Sequence, residues 1–276
     1  MKVGIVGLGL MGGSLALDIK EHALASRIVG YDRNPKHKEE ALKLGLVDEV
    51  YEEFDQIKQA DVIFLAIPVE GIIQALQELT DISSNTTIID LGSTKERIVQ
   101  NCPPVIRPNF VAAHPMTGTE YSGPLAAIKG LYYDKIVVLC DAEKSGTFHK
   151  ERAENIFVGI GMQLVYMDAH EHDLHAAYIS HLPHAISYAL ANTVLKQEDP
   201  KSILILAAGG FKDMSRLAKS SPAMWSDIFK QNKANLLRSL KDFKKELRIV
   251  YELIEQERWE ELQEWMQNAT TLHKIL

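Results

Sequence analysis

The 276 residues predict an α/β protein in two parts, a doubly wound, mainly parallel sheet over residues 1–167 and an all-helical domain over residues 168–276. Two observations predict it. Short apolar runs alternate with polar helical stretches as far as about residue 166, and from Asp168 onward the β-like runs give way to helical periodicity. The runs are Val3 to Val6, Ile28 to Tyr31, Val62 to Ile67, Thr87 to Asp90, Phe110 to Ala113 and Ile136 to Leu139. In the second part Leu236, Leu240, Phe243, Leu247, Val250 and Ile254 step by fours and threes, the seam of one long helix that needs a partner. Leu237 and Leu253 widen that stripe, which suits a bundle closed either within the chain or by a second subunit.

Composition narrows the function classes. A 46% hydrophobic and 24% charged content is that of a globular chain able to bury a sizeable core. With 30 basic against 37 acidic residues the net charge is -7, so the surface field repels nucleic acid and anionic lipid. An anionic ligand therefore has to find a local basic pocket. The N-terminal apolar stretch superficially resembles a signal peptide, but five glycines and Asp18 break it, and no run approaches the roughly 18 apolar residues of a membrane span. Cys102 and Cys140 are the only cysteines and form no CxxC, which suits a reducing cytoplasm. The expectation is a soluble cytoplasmic protein with neither nucleic acid nor membrane as partner.

The strongest local signal is the first turn. A strand runs straight into Gly7-Leu8-Gly9-Leu10-Met11-Gly12, and a helix follows. In such a Rossmann-type turn, Gly7 permits the tight bend, Gly9 lets backbone approach a pyrophosphate, and Gly12 lets helix and strand pack closely. The helix N-terminus then offers unpaired N–H groups and a positive dipole end. The next run ends in Asp32, 20 residues beyond Gly12, the spacing at which a carboxylate reaches the adenosine ribose. That carboxylate would repel a 2′-phosphate and favours NAD over NADP, although the neighbouring Arg33 could accommodate the phosphate.

Polar clusters follow two later strands, where an open α/β sheet binds its ligands. Gly92-Ser93-Thr94-Lys95 comes after Asp90, and Ser93 or Thr94 could serve as a helix N-cap, as a site residue, or as both. His114 ends the run Phe110 to Ala113 and opens His114-Pro115-Met116-Thr117-Gly118-Thr119-Glu120. A neutral imidazole there can accept a proton from a hydroxyl, or it can be a loop histidine bonded to backbone. In Ser180-His181-Leu182-Pro183-His184 the proline interrupts a helix and should kink it. His184 shares a face with small and polar residues that leave room for a ligand, whereas His181 shares one with Leu174, Tyr178 and Tyr188 and reads as structural. Gly209-Gly210 reads as a helix end, after which Lys212, Arg216 and Lys219 recur at helical spacing. Arg216 could engage a carboxylate bidentately, with Lys212 and Lys219 on a solvated basic face. His170, His172 and His175 crowd one segment, but HExxH would need a histidine where Leu174 stands and no cysteine is near, so no metal is expected.

Taken together, GLGLMGGS from Gly7, GSTK from Gly92, HPMTGTE from His114, SHLPHA from Ser180 and GGFKDMSRLAKSSPAMW from Gly209 closely resemble prephenate dehydrogenase, the tyrosine-pathway family that includes arogenate dehydrogenases. The resemblance spans nearly the whole chain. It implies a dinucleotide-binding domain, a helical dimerisation domain, a homodimer, and an active site between the domains that uses NAD. By resemblance, His114 matches the histidine that bonds the substrate ring hydroxyl and Ser93 the serine assisting it. His184 and Arg216 match substrate-binding positions, and Glu120 a loop acid associated with gating. The resemblance implies oxidative decarboxylation of prephenate to 4-hydroxyphenylpyruvate, or arogenate as an alternative substrate. It leaves no appended regulatory or chorismate mutase domain to expect within 276 residues. Another NAD(P)-dependent hydroxy-acid dehydrogenase, or a nicotinamide-binding sensor without turnover, are the competing readings, and the joint presence of His114, Ser93 and Arg216 counts against the sensor.

Overall fold

The computed structural model describes residues 1–275. Eight strands form one sheet: β1 (Lys2–Val6), β2 (Arg27–Tyr31), β3 (Glu49–Val50), β4 (Val62–Leu65), β5 (Thr87–Asp90), β6 (Phe110–Pro115), β7 (Ile136–Cys140) and β8 (Gln163–Met167), in the order β3-β2-β1-β4-β5-β6-β7-β8. Every neighbouring pair is parallel except β6 with β7, which is antiparallel. The chain leaves β1 toward one edge and returns to β4 on the other side, so the strand order reverses between β1 and β4. Ligands of open α/β sheets bind at such a reversal.

All six apolar runs became strands because each can be buried on both faces. Val3, Ile5, Phe64, Ile89, Val111 and Leu139 join one core, under α1 (Leu10–Glu21). Ile63, Leu65, Ile88, Phe110, Ala112 and Cys140 join the other. α2 (Pro35–Lys43) links β2 to β3, and α3 (Val69–Glu78) and α4 (Glu96–Gln100) cover the second core with Ile72, Leu76 and Ile98. α5 (Thr147–Gly159) covers the first with Ile156 and Phe157. β3 and β8 carried no such signal. The former is only two residues long, and β8 is an edge strand whose residues stay partly exposed, so no apolar run marks it.

After β6 the chain crosses over α1 and is pinned there. Ser14 Oγ accepts the Ile128 N–H at 2.9 Å, and buried Asp18 accepts Gly130 N–H at 2.6 Å and Tyr132 N–H at 3.4 Å. The Tyr132 hydroxyl donates to Met11 O at 2.8 Å. The segment carrying His114 and Glu120 is thereby tied to the helix that begins in the glycine turn.

Helices α6 (Ala169–Ala176), α7 (Leu182–Leu195), α8 (Pro200–Ile205), α9 (Gly209–Ser215) and α10 (Pro222–Gln231) complete a first compact unit ending at Asn232. Gly209-Gly210 opens α9 rather than ending a helix. α8 has already stopped at Ile205 in bonds from Leu206 N–H to Ile203 O and from Ala207 N–H to Leu204 O, which tighten its last turn. The second unit begins at Lys233 with α11 (Lys233–Glu255) and α12 (Trp259–Ala269), joined by the Trp265 indole N–H donating to Glu246 at 3.0 Å. α11 is the long helix the heptad spacing predicts. Its seam is open in places: Leu247 is 49% and Ile254 50% exposed. Among the described residues no helix is long and apolar enough to cross a membrane.

Asp18 is the buried acceptor for two backbone donors of the crossing segment, and Asp18→Ala would leave both unpaired. We expect a loss of about 2–4 kcal/mol in urea unfolding; a change below about 0.5 kcal/mol would show that the crossing is held by packing alone.

Candidate active site

At the sheet's reversal, Gly7 turns the chain with φ +92°, and its N–H donates to Tyr31 O at 2.8 Å. A Cβ at Gly7 would stand 2.3 Å from Ala66 O, and one at Gly12 would stand 1.9 Å from Gly7 O. The protein's own backbone requires both glycines. Gly9 is different: a Cβ there would meet nothing nearer than Gly123 N at 3.9 Å. Packing leaves space at Gly9, in front of the N-terminus of α1, where Gly9 is the N-cap and offers no capping side chain. Open space beside unpaired helical N–H groups is what a dinucleotide pyrophosphate fits. Asp32, just past β2, accepts Leu8 N–H at 2.9 Å and Asn34 N–H at 2.8 Å, and His37 Nδ1 lies 3.3 Å away. The carboxylate is thus fixed beside the glycine turn, while Arg33 is exposed. These residues fit a dinucleotide.

Two strands farther on, His114 sits at the carboxyl end of β6, beside α6. His114 Nδ1 lies 2.8 Å from His172 Nε2, and His172 Nδ1 lies 2.8 Å from Asp173 Oδ1. The chain of donors follows from the carboxylate. Asp173 can only accept, so His172 carries a proton on Nδ1; with His172 Nε2 as the acceptor, His114 donates from Nδ1. The lone pair of His114 is left on Nε2. Asp173 is itself held: Lys95 N–H donates to it at 2.7 Å and Glu96 N–H at 3.0 Å, and its carbonyl accepts from Asn232 at 2.6 Å. That pair of backbone bonds caps α4, so of the alternatives open for Ser93 and Thr94 the N-cap role falls to neither. The N-cap is Lys95, with no side-chain cap bond, because the carboxylate from α6 already takes the first N–H groups. Ser93 remains half-buried in the loop after β5, and the Thr94 hydroxyl is buried with no partner among the described residues.

Burial, followed by the neighbouring His172, Lys95 and His181, holds the His114 imidazole well below the ordinary histidine range. His181 is buried, 3.2 Å from Asn232 Nδ2, and burial pushes it down to about 4 against the pull of Asp173. The structural role read for it fits this environment. The chain ahead of Pro183 widens into a π-helical turn over Ala177–His181, and Pro183 falls in the first turn of α7, so the proline meets a change of helical register. His184 stacks on Trp225, with ring centroids 3.4 Å apart and planes at 21°, and its Nδ1–H donates to Ser180 O at 2.9 Å. Burial and then Arg216 lower its pKa. The small-residue strip beside His184 is partly closed, since Ser187 is buried and accepts Ala218 N–H at 3.0 Å. α9 ends at Ser215 and Arg216–Lys219 is a 3₁₀ turn, so the cationic face does not run along one helix. Arg216 lies 3.9 Å from Glu120, a loose ion pair with the guanidinium side 55% exposed.

The electrostatic couplings therefore run from His114 through His172 and His181 to His184 and on to Arg216. Sequence reading named His114, Ser93, His184, Arg216 and Glu120 as candidates, and did not single out Asp173 or Trp225 or set His172 beside His114. His172 was weighed there only as a metal ligand; its adjacent acid was the available clue. Among the described residues no group of three His, Cys, Asp or Glu side chains is arranged to hold a metal ion.

A family model described as prephenate dehydrogenase, nucleotide-binding domain, matches residues 15–166, and one described as prephenate dehydrogenase, dimerization domain, matches residues 168–268. The prephenate dehydrogenase of Bacillus subtilis (strain 168) is 35% identical over 271 residues, spanning 96% of this chain and 73% of its own length. The cyclohexadienyl dehydrogenase of Zymomonas mobilis is 31% identical over 247 residues, spanning 87% and 84%. The crystal structure of prephenate dehydrogenase from Aquifex aeolicus in complex with hydroxyphenyl propionate and NAD+ superposes with a TM-score of 0.93 at 33% identity, over 99% of this chain and 97% of that one.

One added methyl group separates the glycines. Gly12→Ala should destabilise the fold by about 1–3 kcal/mol or more in urea unfolding. Gly9→Ala should stay within about 1 kcal/mol of the parent yet bind NAD about tenfold or more weakly by calorimetric titration, about 1.4 kcal/mol. Unchanged NAD affinity in Gly9→Ala would remove the pyrophosphate from this turn.

Proposed function

The chain belongs to the prephenate dehydrogenase family, and from that premise we propose how its own residues carry out the family's reaction. It is an NAD-dependent dehydrogenase that converts prephenate to 4-hydroxyphenylpyruvate with loss of carbon dioxide. Gly7, Gly9, Gly12 and Asp32 hold the cofactor, whose nicotinamide supplies the hydride acceptor when bound.

His114 is the base. Its Nε2 lone pair takes the proton of the ring hydroxyl as the carbon bearing that hydroxyl loses hydride. The bond to the ring carboxylate then breaks, carbon dioxide leaves, and the electron pair completes the aromatic ring as a phenolate, which takes the proton back from His114 to give the phenol. Ser93, in the loop after β5, assists at the same hydroxyl. Asp173 and His172 act behind His114: the carboxylate fixes both imidazole tautomers and offsets the charge that forms as the base is protonated. Arg216 takes a substrate carboxylate, with His184 beside it on the Trp225 ring. Glu120, opposite Arg216, is displaced from that guanidinium when the carboxylate arrives, which makes the pair a gate. The observation that carries this reading is the Asp173–His172–His114 chain, because a dehydrogenase acting on an alcohol needs one unprotonated nitrogen at neutral pH.

We place the boundary between the dinucleotide-binding and helical domains at residues 167/168. A homodimer formed through the helical domain is supported by the open apolar seam of α11 and by the match to a dimerization domain. A cytoplasmic location is supported by two buried, unpaired cysteines. Arogenate is the second candidate substrate, supported by the likeness to a cyclohexadienyl dehydrogenase. Following reduced nicotinamide with prephenate and arogenate, each with NAD and NADP, decides among these, and no turnover with either acid would reject the assignment.

His114→Asn should lower kcat by about 10²- to 10⁴-fold, roughly 3–5 kcal/mol, with a smaller change in KM; near-parental turnover would remove His114 from the chemistry. Because the folded site holds this imidazole below its ordinary range, protonation should shut kcat/KM down only well below pH 6.5. Arg216→Ala should chiefly raise KM, since a carboxylate is held alike before and during hydride loss, and an unchanged KM would place Arg216 outside the site.

A further inference from the structure

Lys95 and Asp90 are both fully buried and form an ion pair behind the β6 strand. Lys95 Nζ donates to Asp90 Oδ2 and, at 2.6 Å, to Ala113 O. Ala113 N–H in turn donates to Asp90 Oδ1 at 3.2 Å. The pair thus grips both polar groups of the residue immediately before His114. Gly92 N–H completes the carboxylate's partners at 2.9 Å. Burial pushes the Asp90 carboxyl up, against the pull of Lys95 and of two backbone donors on its oxygens.

A dehydrated charge costs several kcal/mol even when paired, and holding one peptide in a sheet does not require it. β6 is already bonded to β5 on one side and β7 on the other. The charge is explained by what lies next along the strand. His114 is faced by His172 and Asp173 from α6, by Lys95 and Asp90 from the segment around β5, and by His181 from the π turn; β7 brings only Val138 opposite it. Lys95 is the lysine among them, held on Asp90 and the Ala113 carbonyl, and Asp173 is engaged by His172 and the N-terminus of α4.

We propose that Lys95 is a positioning residue for the base: through the Ala113 peptide its buried ammonium fixes the His114 ring at the end of β6 and opposes the ring's protonation. The inference rests on the reading of His114 as the base. It explains how a base surrounded by histidines stays unprotonated in a site that must also attract an acid substrate.

The test follows the acid limb of kcat/KM and the ring-proton chemical-shift titration of His114 in Lys95→Met, Lys95→Arg and the double variant Lys95→Met/Asp90→Asn. The double variant removes both charges and serves where Lys95→Met leaves Asp90 unpaired and the chain does not fold. Loss of the ammonium should raise both midpoints by about one pH unit, in Lys95→Met against the parent and in the double variant against Asp90→Asn, and Lys95→Arg should keep them at the parental position. Midpoints unmoved in folded Lys95→Met, or alike in the double variant and Asp90→Asn, with kcat merely lowered, would overturn the proposal and leave Lys95 a structural lysine. A ring titration that moves while the acid limb of the rate does not would uphold Lys95 and reject His114 as the base.

Discussion

The Asp173 carboxylate is the constraint on which the site depends. One oxygen takes His172 and the Lys95 N–H; the other takes the Glu96 N–H. A single side chain from α6 therefore caps α4 and orients the imidazole that orients His114. The cap matters because α4 has only five residues and no capping side chain of its own. Charge near a helix N-terminus is favoured by the exposed N–H groups and the dipole, so fixing Asp173 there and using it as an acceptor for His172 are the same interaction. Asn232 adds a bond to the Asp173 carbonyl and a contact with His181, which ties the end of α10 to the same point.

The parts of this arrangement that are local in sequence could be read from it. The glycine turn, Asp32 at the end of the next run, and His114 after β6 are each set by a strand end, and strand ends are marked by where an apolar run stops. His184 and Arg216 were legible through residue type and spacing, although the helix boundaries around them were not: Gly209-Gly210 starts α9, and a π turn precedes Pro183. His172 and Asp173 were not legible as machinery, because their meaning is a contact across 58 residues with His114 and 78 with Lys95. No periodicity encodes that. Likewise Lys95 sits in a polar loop motif, and only the fold makes it a buried ammonium.

Charge is distributed with the same logic. In a chain of net charge -7, Arg216 is the cation of the candidate site that is open to an acid substrate. His114 and His181 are pushed toward the neutral form by burial and by repulsion from neighbouring histidines. The guanidinium that remains is charged at any working pH and is loosely matched by Glu120. The site thus separates its two tasks: a neutral nitrogen for the proton, and a permanent cation for the carboxylate.

The claim that this chain of acceptors leaves the His114 lone pair on Nε2 is tested most directly by long-range ¹H–¹⁵N spectra of histidine-labelled protein at pH 7, with the ring assigned by its loss in His114→Asn. A neutral ring protonated on Nδ1 is the result expected. A ring protonated on Nε2, or an imidazolium, would contradict the account.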